Sequence, residues 1–214
     1  KMKKSMLFAI FICAAGFTFA QSAKYESAMK ANISQLDSVM QKNNFDELAN
    51  NFTRIGDAEK TQWLPYYYAA YTYALAGLRQ EDNSKKDGLA DKATDQIKKA
   101  ESILGKENSE TDVIKSMIAS VHMTVDPQTR YMTYLSPINE NIEKAKSLDP
   151  TNPRPYILEA ENKFYTPAAY GGGKDVTKPI LDKANQMMQD FKPETDLSPN
   201  WGKTTLEYFL SQYK

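Results

Sequence analysis

Few residues of this 214-residue chain have the types and spacing that chemistry at a site requires. His122 is the single histidine and Cys13 the single cysteine, so neither a two-histidine metal site nor a pair of thiols is available. Glu159 and Glu161 are two residues apart on a predicted helix and point to different sides of it, which does not suit paired acid–base chemistry. We therefore predict no catalytic residues, no metal site and no cofactor.

Two other groups share residue types with known catalytic or binding motifs. Ser116 and Ser120 share a helix face, but no acid–histidine pair stands where it would activate a serine. The run Gly171-Gly172-Gly173 lacks the preceding strand and the Gly-Lys-Ser/Thr ending of a phosphate-binding loop. We interpret the glycines as a turn between helices, and we expect a protein that is not an enzyme.

Residues 1–20 have the pattern of a signal peptide. A start with three lysines precedes an apolar stretch, and Thr18-Phe19-Ala20 places small residues at the two positions that a signal peptidase reads. Cleavage after Ala20 is predicted, which leaves residues 21–214 as one exported domain, periplasmic or secreted, with no stable membrane insertion. An uncleaved anchor and a lipoprotein attached at Cys13 are the alternatives.

Residues 21–214 carry 24 basic and 27 acidic side chains, a net charge of −3. Nucleic-acid binding needs a surface excess of positive charge, because lysine and arginine displace counterions from phosphates. The short basic runs Lys85-Lys86 and Lys98-Lys99 are flanked by acidic residues that cancel their fields. We therefore predict no nucleic-acid partner.

Apolar residues recur at helical spacing along nearly all of residues 21–214, and no stretch alternates in polarity as a β-strand does. The pattern predicts an all-α chain of about eight or nine helices, the last of which, within 201–214, caps the stack. Residues 80–88 contain no apolar side chain and predict a connection. The predicted helices lie at about 23–42, 45–55, 63–75, 89–104, 111–124, 130–148, 154–165, 175–191 and 201–213.

One pattern of residues at a helix ending occurs twice, with offsets of 4, 3 and 5 residues. The two copies are Ala93, Ile97, Ala100, Gly105 and Ile138, Ile142, Ala145, Pro150. Through these residues the chain resembles a secreted or periplasmic tetratricopeptide-repeat protein. The resemblance implies a right-handed solenoid of antiparallel helix pairs with a groove on its concave face. The copies are 45 residues apart against about 34 in the family, so helices are lengthened or connections inserted.

The same resemblance, with Trp63 fixing the register, implies which residues face the groove. The candidate binding residues are Tyr68, Thr72, Ser116, Ser120, Glu161 and Tyr165. An uncharged, aromatic groove suits a peptide segment or a small molecule, because tyrosine offers a large contact area at low entropic cost.

The leading hypothesis is a non-enzymatic scaffold or adaptor of the cell envelope that binds a protein or peptide partner in this groove. The alternative is a periplasmic small-molecule-binding accessory protein of a transporter. It is motivated by the segment Phe164–Lys174, which resembles a segment of periplasmic tetratricopeptide proteins that serve solute transporters.

Overall fold

The computed structural model of the chain describes residues 23–213. Within this range the chain forms helices joined by turns, without a β-strand, and the predicted all-α, solenoid-like fold is confirmed. The predicted signal peptide, residues 1–20, lies outside the described residues. No helix of the described part combines the length and apolar composition that crossing a membrane requires.

Ten α-helical segments and one short 3-10 helix make up residues 23–213. Helix α1 covers 23–33. The others are α2 Leu36–Lys42, α3 Phe45–Glu59, α4 Leu64–Arg79, α5 Asn83–Leu104, α6 Ser109–Val125, α7 Pro127–Leu148, α8 Arg154–Tyr165, the 3-10 helix Ala168–Tyr170, α9 Lys174–Asp190 and α10 Lys203–Ser211.

The predicted connection at residues 80–88 is wrong, because α5 begins at Asn83. Asp82 caps the helix, and its carboxylate accepts a hydrogen bond of 3.1 Å from the Ser84 backbone N–H. Lys86 is buried in the second turn and donates to the Thr124 carbonyl at 3.2 Å. Apolar periodicity alone missed these turns, since a polar cap and a lysine aliphatic chain hold them in place.

Several other helix boundaries differ from the prediction by a few residues, among them the ends of α3 and α4 and the start of α7, and two of the differences have a local cause. The predicted helix 23–42 is broken at Ser34 and Gln35, whose side chains both donate to the Ala31 carbonyl and so compete with the backbone ladder. The predicted last helix begins at Lys203 rather than at residue 201, because Gly202 has a φ of +111° that does not continue a helix.

Consecutive helices from α3 to α7 pack against each other in sequence, and α8 packs against α9. Helices α4, α6 and α8 also contact one another in succession, so they form one layer of the stack. The apolar and alanine residues of both copies of the repeated pattern are buried between helices. These are Ala93, Ile97, Ala100, Ile138, Ile142 and Ala145. The pattern therefore marks the contacts that join neighbouring helix pairs.

Residues 191–202 leave α9 as an irregular chain that crosses the layer of α4 and α8; we call them the crossing segment. Leu197 is buried in the main hydrophobic core, which otherwise consists almost entirely of residues from α1 to α7. Trp201 packs against the same core. The second core lies among α8, α9 and α10, with Leu181 and Phe209 at its centre.

Candidate functional site

The crossing segment covers part of the surface that the sequence predicts to be an open groove. Tyr68 is only 1% exposed, and its hydroxyl donates to the Leu197 carbonyl at 2.9 Å. Thr72, also buried, donates to the Tyr68 carbonyl at 2.7 Å. Ser116 is buried against α7 and donates to the Ile138 carbonyl at 3.1 Å. The prediction that these three residues line a groove is wrong, because each is buried and hydrogen-bonded within the protein.

The other predicted groove residues differ in their exposure. Ser120 is half-buried and donates to the Ser116 carbonyl at 3.0 Å. Glu161 is partly exposed, and it makes no hydrogen bond or ion pair among the described residues. Tyr165 is 64% exposed. Of the predicted set, Glu161 and Tyr165 on α8 therefore retain side chains that are available to a ligand.

A buried polar network fixes the crossing segment in place. The fully buried Arg154 forms a 3.0 Å ion pair with Glu110 and also donates to the Pro199 carbonyl. Glu110 accepts a 2.6 Å hydrogen bond from the Tyr67 hydroxyl. Burial raises the pKa of Glu110, and the nearby Arg154 charge opposes that shift. The network ties α4, α6 and α8 to the crossing segment.

Trp201 adds an aromatic contact to this network. Its ring stacks on Tyr71 with the centroids 4.4 Å apart, and its indole N–H donates to the Tyr67 hydroxyl at 2.9 Å. The Arg154 guanidinium lies 5.5 Å from the Trp201 ring. Because the indole N–H is hydrogen-bonded and the ring is stacked, the crossing segment is held in a defined position against α4.

A cluster of aromatic side chains lies where α8 and α10 meet. Tyr165 and Tyr208 are 64% and 54% exposed, and their ring centroids lie 5.9 and 5.2 Å from that of the buried Phe209. Phe164 packs on the same ring at 5.2 Å. We call the exposed rings of Tyr165 and Tyr208 the tyrosine patch. Exposed tyrosine rings that lie side by side make this the candidate ligand surface, because tyrosine offers a large contact area at low entropic cost.

The loop after α8 is built closely against the helix end that carries Tyr165. The Gly173 backbone N–H donates to the Lys163 carbonyl at 2.8 Å. A Cβ on Gly172 would lie 2.2 Å from the Thr166 carbonyl oxygen, so only glycine fits there. The glycine run is therefore a tight turn, as predicted. It presents Tyr170, which is 74% exposed, beside the end of α8.

Neighbouring groups shift the pKa of the Tyr165 hydroxyl. Burial raises the pKa of the Tyr165 hydroxyl, with further contributions from Tyr208 and the Glu161 charge. Burial likewise raises the pKa of Glu161, against the opposing charge of Arg79. The Tyr165 phenol is thus protonated at neutral pH, and the patch offers flat ring faces and hydroxyl donors to a ligand.

Two open grooves lie elsewhere on the described surface. One, of about 850 Å³, lies between the α2–α3 turn, the end of α4 and the start of α5, and is lined by Met40, Arg79 and Leu89 among others. The other, of about 660 Å³, is lined by Trp63, Phe191 and polar residues at the opposite end of α8 from the tyrosine patch. The first groove includes Arg79, whose charge reaches Glu161.

His122 lies away from this surface, on α6 between α5 and α7. Its Nδ1 is 2.7 Å from the Asp87 carboxylate, and its ring stacks on Tyr134 at 5.3 Å. Arg130 donates two hydrogen bonds, of 2.7 and 2.9 Å, to the same carboxylate. Among residues 23–213 no group of three or more potential ligands is placed to hold a metal ion. This cluster joins three helices.

Tyr208 is the residue of the patch that sequence reasoning missed. The sequence predicts α10 as a cap from its apolar stripe, which includes Leu206 and Phe209. Tyr208 falls outside that stripe, and an aromatic residue off the buried face of an amphipathic helix is the signal that identifies it.

The fold and part of the sequence are shared with a solved structure. The HusA haemophore from Porphyromonas gingivalis has a TM-score of 0.79 to this chain at 33% sequence identity, over 89% of this chain and 92% of that chain. A scan against protein-family models found no match, and a search of curated proteins found none either.

Proposed function

The chain belongs to the same family as the HusA haemophore, and on that premise we propose that it binds haem or a closely related porphyrin on the tyrosine patch. The observation that supports the proposal within the structure is the pair of exposed rings, Tyr165 and Tyr208, set on the buried Phe209.

A porphyrin matches the tyrosine patch in shape and polarity. A porphyrin is a flat, aromatic and largely apolar macrocycle, and tyrosine rings stack favourably on such a surface. In water both partners leave this surface exposed, so association removes apolar area from solvent on each side. Tyr170, 74% exposed on the neighbouring turn, adds a third ring at this end of the molecule.

Iron ligation by a tyrosine is a second way for a protein to hold haem, and it requires the phenolate form. Burial raises the pKa of the Tyr165 hydroxyl, which opposes formation of that phenolate. Our proposal places the affinity in stacking and burial of the macrocycle, with Tyr165 as a ring and a hydrogen-bond donor.

A small-molecule binder is better supported than the protein scaffold that led the sequence-based hypotheses. The crossing segment, through Leu197, fills part of the groove that a peptide would need. The similar solved structure is that of a haemophore, which is a binding protein. The protein acts by binding without catalysis, and helix pairs of the tetratricopeptide type serve as its framework.

Haem capture also fits the proposed location. A haem carrier meets its ligand outside the cytoplasm, and the leader-like pattern of residues 1–20 provides for export. The protein is proposed to act in the periplasm or after release from the cell.

Titration of the protein with ferric haem, followed through the Soret absorbance, tests this function. Replacing both Tyr165 and Tyr208 with alanine removes two stacking contacts and is expected to weaken binding by about 1–3 kcal/mol, roughly fivefold to 150-fold in Kd. Replacing both with phenylalanine keeps the rings and is expected to leave Kd within about threefold.

The matched control is Leu148→Ser, which changes an exposed apolar residue in the groove at the other end of α8. Its haem affinity is expected to equal that of the wild type. Unaltered binding by the double alanine variant would remove the site, and a wild-type protein that does not bind haem would remove the function.

A further inference from the structure

We infer that Arg79 anchors a carboxylate side chain of the bound porphyrin, so that the protein binds porphyrins with free carboxylates more tightly than their esters. The inference rests on the proposed function, because it assigns a role within the same ligand site. It begins from the position of Arg79 at the C-terminal end of α4, where the side chain is exposed.

Arg79 and the tyrosine patch lie at the same end of one helical layer. Helices α4, α6 and α8 contact one another in succession, and α5 and α7 are the returning members of the pairs. Helices α4 and α8 therefore run in the same direction, and Arg79 and Tyr165, at or beside their last residues, share an end of the layer.

Arg79 also lies beyond the area that the crossing segment covers. On α4, residues 68, 72, 75 and 79 occupy one face by helical spacing. The crossing segment contacts Tyr68 through Leu197, about three turns before Arg79. The uncovered part of this face thus ends in a guanidinium.

Glu161 connects the two parts of the site. It lies one turn before Tyr165 on the same face of α8, and its charge interacts with both Arg79 and the Tyr165 hydroxyl. A carboxylate at this point repels the acidic substituents of a ligand from the middle of the face. Arg79 then attracts those substituents toward the open groove of about 850 Å³ that it lines with Met40 and Leu89.

Arg79 is distinguished from the neighbouring cations because its guanidinium makes no close contact with an acidic side chain, although its charge acts on Glu161. Among the described residues it makes no hydrogen bond or ion pair. By contrast, Lys85 pairs with Asp82 at 3.2 Å and Lys92 with Asp46 at 3.4 Å in the same groove.

The lysines near the tyrosine patch are also engaged. Lys163 donates to the Gly171 carbonyl at 3.3 Å, and Lys174 donates to the Gln212 carbonyl at 2.9 Å. A guanidinium whose hydrogen-bond donors are unused is the group best suited to a carboxylate, since its fork donates two parallel hydrogen bonds.

The test compares two ligands that differ only at the two carboxyl groups, ferric protoporphyrin IX and its dimethyl ester. Arg79→Gln is expected to weaken binding of the diacid about tenfold and to leave binding of the ester unchanged. The control Lys85→Gln, in the same groove but already paired with Asp82, is expected to bind both ligands as the wild type does.

Each result decides between the alternatives. If Arg79→Gln binds the diacid as tightly as the wild type, or loses diacid and ester equally, the anchoring role is overturned while haem binding by the wild type stands. If the wild type binds neither ligand, the proposed function itself fails. Circular dichroism of Arg79→Gln verifies that the exposed substitution leaves the helices intact.

Discussion

The hydroxyl of Tyr68 donates a 2.9 Å hydrogen bond to the backbone carbonyl of Leu197, 129 residues further along the chain. This contact joins the layer of α4, α6 and α8 to the crossing segment. It means that part of the concave surface typical of helical repeats is used for internal packing, and that a ligand must bind beyond it.

Tyr68→Phe tests this division of the surface. The substitution removes a buried hydrogen bond, so we expect the free energy of unfolding in urea to fall by about 1–2 kcal/mol. Haem affinity is expected to stay at the wild-type value, because Tyr68 is outside the tyrosine patch. Tyr165→Phe, which changes an exposed hydroxyl, is the matched control and is expected to leave stability unchanged. A large loss of haem affinity in Tyr68→Phe would place the ligand at the crossing segment instead.

The cluster around Asp87 predicts an acid-sensitive contribution to stability. Hydrogen bonds from Arg130 and His122 lower the pKa of Asp87 from 3.8 to about 2. Since the folded state lowers this pKa, the stabilisation is present above pH 3.8 and is lost as the pH falls toward 2. Allowing for solvent screening of the partly exposed carboxylate, it amounts to at most about 1 kcal/mol.

Urea unfolding of the wild type and Asp87→Asn at several pH values measures this contribution. The wild type is expected to be the more stable at pH 6. The difference in free energy of unfolding is expected to shrink as the pH is lowered from 3.8 toward 2. A difference that is constant from pH 6 to pH 2 would show that the charge of Asp87 is not its source.

Alanine at Gly172 and alanine at Gly88 are expected to change the stability of the protein in opposite directions. A Cβ on Gly172 would meet the Thr166 carbonyl oxygen at 2.2 Å, so Gly172→Ala must displace the turn after α8 and is expected to destabilise the protein by about 1–3 kcal/mol. A Cβ on Gly88, within α5, meets nothing within 4 Å. Gly88→Ala is therefore expected to stabilise by about 0.5–1 kcal/mol. Equal effects of the two substitutions on the unfolding midpoint would contradict the described turn.

Much of the fold follows from the sequence, because burial between helices requires apolar side chains to recur at helical spacing. Ile138, Ile142 and Ala145 are all buried, as the repeated pattern requires. Apolar periodicity does not predict the start of α5, since the Asp82 cap carries no apolar signal. Helix boundaries that depend on side-chain hydrogen bonds are therefore less predictable than the buried stripes between them.

The candidate site was predictable only in part. The register of the repeats predicts Tyr165 and Glu161 as binding residues, and the structure leaves both side chains at least partly exposed, so this role stays a prediction. Tyr68 is buried and not in a groove because an irregular segment covers it, and no periodic pattern reveals where Leu197 packs. Tyr208 required knowledge of how α10 docks on α8, which depends on contacts distant in sequence.

The most direct test of the haem site is paramagnetic broadening of backbone amide resonances by bound ferric haem, with the zinc porphyrin as the diamagnetic reference. Resonances of residues 161–165 and 207–210 are expected to lose intensity first, because these residues carry the tyrosine patch. Intensity loss centred on Trp63 and Phe191, with residues 161–165 and 207–210 unaffected, would contradict the account and move the site to the groove at the other end of α8.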